Sequence, residues 1–382
     1  MNQQIPFSRP EIGDEEIAAV TDVLRSGWLT TGPKVHQFER EFAAYVNRAE
    51  AIAVQSCTSA LLMCLQALQL PEGSEVIIPA LTWPSAVSAA LYLNLRPILV
   101  DVEWDTLNIS CDDLVKRITL RTRCLVPVHF AGLPYNVEAV SRCAGQHDLK
   151  VIDDAAHAIG ATYEGAPASA RTLAACYSFH PIKNMTTGEG GMIATDDAVF
   201  AERLRRLRLL GVTRDAWQRY GDRQGRGYDV TELSLKHNMT DLQAAMGIVQ
   251  LVKLPAFNER RRVMAGRYME ELQSLPGVIC PDPGDHVRKH CWHLFAVRTA
   301  NEKGKFGRDA VIEKLQSEGI ATGIHFIAIP DLTYFQTRLD LDPADTPLAI
   351  RAGRTIFSLP LYPGLSESDQ MIVISALRRA LG

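Results

Sequence analysis

Apolar positions near the start of the chain recur with a helical period. Ile17, Val20 and Leu24 follow one another at spacings of three and four residues, which predicts an amphipathic helix. Asp14 supplies a suitable N-cap for that helix. After a turn rich in glycine and threonine, Pro33 stands where helices favour proline and predicts the start of a second helix.

From residue 51 onward, short apolar runs alternate with helical stretches, and seven of these runs predict strands. Most of the runs do not alternate between apolar and polar positions, which is typical of strands covered on both faces. Strands separated by helices imply crossover connections and therefore a mostly parallel sheet. The predicted strands are Ala51–Gln55, Glu75–Pro79, Pro97–Val102, Cys124–His129, Lys150–Asp153, Ala174–Phe179 and Gly191–Thr195.

The pattern changes after residue 254, where prolines and glycines begin to interrupt it. We therefore predict a large α/β domain over residues 1–254 and a smaller α+β domain over residues 255–382. The elements predicted in the smaller domain are helices at Glu259–Leu272, Arg308–Glu318 and Glu367–Leu381, and strands at His293–Arg298 and Thr322–Ile327.

Composition places the chain among ordinary globular proteins. Of its 382 residues 47% are hydrophobic and 22% charged, and the formal net charge is −4. This balance argues against a disordered protein, a rod or a nucleic-acid-binding protein. Eight cysteines without C-x-x-C spacing give no zinc or redox motif. The chain start has no leader pattern and no apolar run could span a membrane, so we expect a cytoplasmic protein.

Polar residues cluster directly after the predicted strands, where open α/β sheets bind their ligands. After the first strand comes Ser56-Cys57-Thr58-Ser59, which leads into an apolar helix. Hydroxyls and free amides at a helix N-terminus bind phosphate. The same residues could equally be a simple N-cap, and the sequence leaves both interpretations open.

Two carboxylates, Asp153 and Asp154, end another apolar strand, and His157 follows. Buried carboxylates need a partner, which could be a metal ion or a protonated heterocyclic nitrogen. The metal lacks further ligands at a recognisable spacing. Metal binding by His286, His290 and His293 is likewise disfavoured, because residues 290 and 293 of a strand face opposite sides. We therefore expect no metal.

The loop after the sixth strand contains Lys183, between Ser178-Phe179-His180-Pro181 and a glycine-rich turn at residues 188–191. A lysine with a lowered pKa can form a Schiff base with an aldehyde cofactor. The alternative is an ordinary solvated lysine. Together with the phosphate-type loop, Trp83 as a stacking ring and Asp154 as partner of a ring nitrogen, Lys183 completes the set that pyridoxal 5'-phosphate requires.

Ordered motifs along nearly the whole chain carry a family resemblance. They are Ser26–Pro33, Pro127–His129, Asp154–Ala158, Ser178–Asn184, Gly188–Gly191, Asn238–Asp241 and Ser358–Leu361. With these motifs the chain resembles the DegT/StrS-type nucleotide-sugar aminotransferases, which are pyridoxal-phosphate enzymes of fold type I. Within that family, Leu81–Trp83, Trp292–Phe295 and Gly323–Phe326 resemble the branch that makes UDP-4-amino-4-deoxy-L-arabinose.

The resemblance implies a role for each site residue. Lys183 is the catalytic residue and carries the cofactor aldehyde, Asp154 contacts the pyridine nitrogen, and His157 lies near the ring hydroxyl. Trp83 covers the ring, and Asn238 reaches the phosphate of the neighbouring subunit, which implies a homodimer with shared active sites. The phosphate ligands implied are Thr58, Ser59 and Ser178, and the residues implied near the substrate are His180 and His325.

The expected reaction moves the amino group of glutamate to a keto group of a nucleotide-linked sugar, most simply a 4-keto sugar. A 3-keto sugar or a ketocyclitol is the alternative within the class. A non-catalytic regulator on the same scaffold is the alternative outside it, but such a protein is expected to have lost Lys183 or Asp154. The chain departs from relatives at Cys57, where glycine or alanine is usual, and at Leu233–His237, which leaves the sugar open.

Overall fold

The computed structural model describes residues 4–213 and 228–382. Residues 1–3 lie outside the described residues. They belong to the chain start in which the sequence predicts no leader. Among the helices described, none is both long and apolar enough to cross a membrane. The helices are α1 (Asp14–Ser26), α2 (Pro33–Tyr45), α3 (Cys57–Ala67), α4 (Ser85–Tyr92), α5 (Cys111–Arg117), α6 (Val137–Gln146), α7 (Ala198–Leu207), α8 (Asp241–Leu272), α9 (Arg308–Ser317), α10 (Thr333–Leu339), α11 (Pro347–Thr355) and α12 (Glu367–Leu381).

The main sheet has seven strands in the order β1-β9-β8-β5-β4-β2-β3. In the described part of the chain, β9 alone runs against the other six strands. The predicted α/β fold with a mostly parallel seven-stranded sheet is thereby confirmed. The strands of the chain are β1 (Glu50–Val54), β2 (Glu75–Pro79), β3 (Arg96–Val100), β4 (Thr122–Leu125), β5 (Lys150–Asp154), β6 (Thr162–Tyr163), β7 (Ala166–Pro167), β8 (Ala174–Ser178), β9 (Gly191–Thr195), β10 (Val278–Ile279), β11 (Arg288–Lys289), β12 (Phe295–Thr299) and β13 (Ile356–Leu359).

Helices cover both faces of this sheet. Successive residues of a strand point to opposite faces, and in β1 Ile52 packs into one apolar cluster while Ala53 packs into the other. The first cluster contains Leu61 of α3, and the second contains Phe38 and Phe42 of α2. Because the sheet is buried on both sides, its ligand-binding surface is the edge where the parallel strands end.

Helix α8 passes through the predicted domain boundary without interruption. It begins at a capping box, in which the Gln243 N–H donates to Thr240 Oγ1 (3.3 Å) and the Thr240 N–H donates to Gln243 Oε1 (3.0 Å). The predicted helix start at residue 259 was therefore wrong. Leu254 packs under the main sheet and Tyr268 packs into the C-terminal core, so both cores hold the helix across Pro255. The domain division at residues 254 and 255 stays a prediction.

The strand predicted at Thr322–Ile327 was wrong. This segment contributes an isolated bridge from Gly323 to Ser358, and β13, which contains Ser358, pairs with β12 instead. The apolar side chains that suggested a strand serve another purpose. Ile324 lines a cavity, so its apolar character reflects a cavity wall rather than a sheet face. The neighbouring strand, predicted at residues 293–298, is β12 at residues 295–299.

Gly191 marks a close approach that the fold requires at the ligand edge. A Cβ atom there would lie 2.6 Å from the Ser56 carbonyl carbon and 2.7 Å from the Cys57 nitrogen. We expect Gly191→Ala to lower the free energy of unfolding by about 1–3 kcal/mol, because β9 must move away from the start of α3. Urea unfolding measures this loss.

Gly266→Ala is the matched control, since Gly266 lies exposed in α8 with no atom near its Cβ position. It should raise the free energy of unfolding by about 0.5–1 kcal/mol, because alanine favours the helix. Equal urea midpoints for Gly191→Ala and the unchanged protein would contradict the close approach.

Candidate active site

One cavity of about 300 Å³ lies at the edge where the parallel strands end. The loops after β1, β2, β5 and β8 all contribute to it, together with the segment that replaces the predicted strand near residue 325. The cavity therefore collects residues that are far apart in the sequence. It is lined by Ser56, Cys57, Thr58, Thr82, Trp83, Ser85, Val128, Asp154, Ala156, His157, Ser178, His180, Ile182, Lys183, Glu189, Gly190, Ile324, His325 and Phe326.

The N-terminus of α3 forms one end of the cavity. Ser56 is the N-cap, and its Oγ accepts the Ser59 N–H at 3.1 Å. Ser59 is occupied by this cap and is not among the cavity-lining residues. Thr58 does line the cavity, and its Oγ1 lies 2.7 Å from Ser85 Oγ at the start of α4. Because the first amides of a helix have no intrahelical acceptor, this end suits an anion.

Asp154, the last residue of β5, forms the floor of the cavity. Its Oδ1 accepts the Ala156 N–H at 3.1 Å and lies 3.9 Å from Cys57 Sγ. Burial raises the pKa of Asp154, while the Ala156 N–H and the Lys183 ammonium favour the charged carboxylate. The carboxylate is thus ready to pair with a positively charged group in the cavity.

The adjacent Asp153 faces the other side of the sheet and has a different environment. Its carboxylate accepts the Tyr135 hydroxyl at 2.6 Å and the Thr172 hydroxyl at 3.1 Å, and His129 Nε2 lies 3.5 Å away. These partners satisfy Asp153 inside the protein. The sequence placed the two carboxylates together, but only Asp154 lines the cavity.

Lys183 enters the cavity from the turn after β8. Its own N–H donates to the His180 carbonyl at 2.8 Å, which closes that turn. Burial lowers the pKa of Lys183 to about 8, although the Asp154 carboxylate acts in the opposite direction. A lysine with such a pKa has a substantial neutral fraction near neutral pH, so its amine is a nucleophile.

His157 forms a wall of the cavity and is neutral. Burial lowers the pKa of its imidazole far below the ordinary value, and the Lys183 charge acts in the same direction. The Ala131 N–H donates to Nδ1 at 3.2 Å. The ring packs against Phe326 and His293, with centroids 5.7 Å and 4.3 Å away.

Three further predicted residues lie around the cavity mouth. Trp83 is 60% exposed and lies 6.0 Å from the Phe326 ring centroid. His325 Nδ1 lies 3.0 Å from Ser358 Oγ, and burial, together with Lys183, lowers the pKa of His325 to about 4. His180 is half-exposed, with its Nε2 4.0 Å from Glu189 Oε1.

Asn238 does not line the cavity of its own chain. Its Nδ2 donates to Thr31 Oγ1 at 2.8 Å, and its buried Oδ1 has no hydrogen-bond partner. Of the ten predicted site residues, the cavity therefore brings together eight, and Ser59 and Asn238 lie outside it.

Sequence reasoning missed Ser85 and Glu189 as lining residues. Ser85 carried a usable signal, because it follows Thr82-Trp83-Pro84 at a strand end and opens a helix, as Ser56 to Thr58 do. Glu189 had no such signal, because its place depends on the turn before β9. Within the described ranges no three His, Cys, Asp or Glu side chains form a group that could hold a metal ion.

Comparison with known proteins assigns this arrangement to a family. The profile of the DegT/DnrJ/EryC1/StrS aminotransferase family matches residues 10–378. The chain belongs to this family. It is 41% identical over 378 residues to the spore coat polysaccharide biosynthesis protein SpsC of Bacillus subtilis, covering 99% of this chain and 97% of SpsC.

Solved structures of similar proteins agree with this assignment. Spr1654 from Streptococcus pneumoniae, solved in PLP and PMP forms, superposes in its PMP form with a TM-score of 0.91, 29% identity and 99% coverage of both chains. DesV from S. venezuelae, in complex with a ketimine intermediate, has a TM-score of 0.87, 32% identity and 98% coverage of both chains. The chain is a pyridoxal-phosphate-dependent sugar aminotransferase with the type I fold.

The residues of the cavity fit the cofactor. A helix N-terminus that suits an anion lies at one end of the cavity. A buried carboxylate and a lysine with a lowered pKa line the same cavity. Gly191 allows the backbone of β9 to approach the helix end closely. Each feature matches one part of pyridoxal phosphate.

The lowered pKa of Lys183 makes a stability prediction for the cofactor-free protein. The unfolded chain binds more protons than the native chain between about pH 8 and the ordinary lysine value of 10.5, so native stability rises with pH across that window. Below it the native state carries a cost of about 3 kcal/mol. We expect Lys183→Met to be more stable than the unchanged protein by up to this amount at neutral pH in urea unfolding.

Lys253 provides the opposite control. Its ammonium donates to Glu16 Oε2 at 2.9 Å, and its carboxylate partners raise its pKa, so Lys253→Met should lose stability at neutral pH. A stability advantage of Lys183→Met that stayed constant up to pH 11, beyond the ordinary lysine pKa of 10.5, would show that the amine is not desolvated.

Proposed function

We propose that the protein transfers the amino group of glutamate to the C4 keto group of a nucleotide-linked sugar. The observation that carries the proposal is that Lys183 and Asp154 line one cavity of an aminotransferase fold, where desolvation shifts the pKa of both. The resemblance of residues 292–295 and 323–326 to enzymes that make a 4-amino sugar favours C4. SpsC, by its name a polysaccharide biosynthesis protein, is consistent with a sugar destined for a polymer.

In this proposal the residues that line the cavity would hold the cofactor. The amides of the first turn of α3 and the hydroxyls of Thr58 and Ser178 hold its phosphate, Asp154 holds the proton of its pyridine nitrogen, and Trp83 covers its ring. Ser59 supports the same end as part of the cap. Bound pyridoxal phosphate supplies an electron sink that accepts an amino group from one substrate and returns it to the next.

Lys183 performs the proton transfers in this proposal. Its amine shares the cavity with Asp154, and its pKa of about 8 lets it take up and release a proton near neutral pH. A lysine exposed to water would remain protonated. The same neutral amine would be the group that holds the cofactor aldehyde.

The sugar end of the cavity is neutral and partly apolar in the proposed complex. The His325 imidazole carries no charge near pH 7 because its pKa is about 4. It offers hydrogen bonds to sugar hydroxyls without attracting stray anions. Ile324 and Phe326 flank it and provide apolar surface for the sugar ring, while His180 lies at the more exposed side.

A homodimer with shared active sites is part of the proposal. Asn238 lies outside its own cavity, and its buried Oδ1 is unsatisfied. By family resemblance we place this side chain at the phosphate of the neighbouring subunit's cofactor. The cytoplasmic location stays a prediction from the sequence.

Incubation with glutamate and a panel of nucleotide keto-sugars tests the reaction. We expect an amine at C4 of a 4-keto sugar, identified by mass spectrometry and NMR, with stoichiometric 2-oxoglutarate. Lys183→Ala and Lys183→Arg should lose at least about 10³-fold in turnover, because neither forms and releases the cofactor linkage usefully.

The panel also decides between the alternatives. Amination confined to a 3-keto sugar or ketocyclitol would replace the proposed acceptor, and transfer from glutamine rather than glutamate would replace the donor. The protein could instead bind the cofactor and aminate no keto-sugar of the panel, so that it is as inactive as its Lys183→Ala variant. That result would contradict the proposed function and favour a non-catalytic regulator.

Subunit complementation tests the shared site. In the proposed dimer each active site takes Lys183 from one subunit and Asn238 from the other. A dimer of one Lys183→Ala subunit and one Asn238→Asp subunit therefore has one site in which both residues are intact. At limiting cofactor, co-refolded mixtures should regain about a quarter of the unchanged activity, because half the dimers are mixed and each has one intact site. Activity no greater than the sum of the separate variants would contradict sharing.

A further inference from the structure

The hydrogen bond from Ala131 to His157 fixes where the imidazole carries its proton. The Ala131 N–H lies 3.2 Å from His157 Nδ1, and a backbone N–H can only donate. Nδ1 must therefore be the unprotonated nitrogen, and the proton of the neutral ring is on Nε2. Since His157 lines the cavity, the nitrogen left for a ligand is a donor.

The turn that supplies this N–H has an unusual backbone. Ala131 is buried and has φ +56°, a left-handed conformation that is costly for a residue with a Cβ atom. The Gly132 N–H donates to the His129 carbonyl at 3.2 Å, and the Leu294 N–H donates to the Ala131 carbonyl at 3.2 Å. The surroundings must hold the turn in place, because its own preference is against it.

Asn108 holds the turn from outside the cavity. Its Oδ1 accepts the Phe130 N–H at 2.9 Å, and its Nδ2 donates to the Leu133 carbonyl at 3.1 Å. Asn108 is 2% exposed and is not among the residues that line the cavity. One amide side chain thus clamps the residues on both sides of Ala131 and Gly132.

We propose that Asn108 is a positioning residue: by clamping the turn at Phe130–Gly132, it keeps the Ala131 N–H on Nδ1 and locks His157 as a hydrogen-bond donor at Nε2. This inference rests on the proposed place of His157 beside the cofactor ring hydroxyl, but not on which sugar is the substrate. The donor then stabilises negative charge on the ring oxygen.

The groups around His157 act together with the turn. Burial lowers the pKa of His157, and the Lys183 ammonium acts in the same direction, as would a proton on His325, His129 or His290. The remaining contacts are the rings of His293 and Phe326. A proton on Nδ1 would oppose the Ala131 N–H directly, so the turn excludes both the charged ring and the other tautomer.

Nitrogen NMR of cofactor-free protein labelled with ¹⁵N-histidine tests the lock. The His157 signals, assigned by their loss in His157→Gln, should show one tautomer with the proton on Nε2 from about pH 5 to about pH 9. In Asn108→Leu, which has a similar volume but neither hydrogen bond, the signals should show both tautomers. If Asn108→Leu does not fold, Asn108→Asp takes its place in the test, because it keeps the acceptor for the Phe130 N–H and loses the donor to the Leu133 carbonyl.

Asn136→Ala is the matched control. Asn136 Oδ1 accepts the Ala139 N–H at 3.0 Å and caps α6, so its loss should destabilise the protein without changing the His157 signals. The inference would be overturned without any variant if His157 of the original protein carried its proton on Nδ1 or titrated between about pH 5 and about pH 9. A folded Asn108 variant with unchanged His157 signals would overturn it too.

The loaded enzyme gives an independent reading. A weaker donor at the ring oxygen favours protonation of the neighbouring Lys183 nitrogen, so the pH-dependent change in cofactor absorbance should move upward by about 0.5 pH unit or more in Asn108→Leu. Asn136→Ala should not move it. A protein that shows these shifts but aminates no keto-sugar would contradict the proposed function and leave the role of Asn108 intact.

Discussion

The chemistry of the site depends on desolvating one amine and one carboxylate in the same cavity. Lys183 and Asp154 line the same cavity, and desolvation moves their pKa values toward each other, down for the lysine and up for the aspartate. In water the lysine would be a solvated cation without useful nucleophilicity. The sheet creates this environment, because strands covered on both faces end at one edge and place their polar residues around one cavity.

The rest of the site protects that pair. Two neutral imidazoles line the cavity together with Lys183, since burial keeps both His157 and His325 uncharged. Asp153, which looked equivalent to Asp154 in the sequence, is satisfied by Tyr135 and Thr172 on the opposite face of the sheet. The cavity thus pairs the Lys183 amine with the Asp154 carboxylate, and the hydroxyls and imidazoles that line it serve as hydrogen-bond partners.

Much of the fold was accessible from the sequence because most strands of the main sheet lie in short apolar runs. The prediction failed where burial had another cause: Ile324 is apolar because it lines the cavity, and Pro255 did not end α8 because two cores hold that helix. Lys183 and Asp154 could be identified because chemistry requires their types at strand ends. The role of Asn108 could not, because its two hydrogen bonds reach residues more than twenty positions away.

Reductive trapping of the cofactor tests the central claim most directly. The purified protein is loaded with pyridoxal phosphate, treated with borohydride, digested, and its peptides are mapped by mass spectrometry. We predict that the added cofactor mass lies on the peptide that contains Lys183 and that it is absent from Lys183→Arg. A label on a different lysine, or an unlabelled Lys183 in protein that retains the cofactor, would contradict the account.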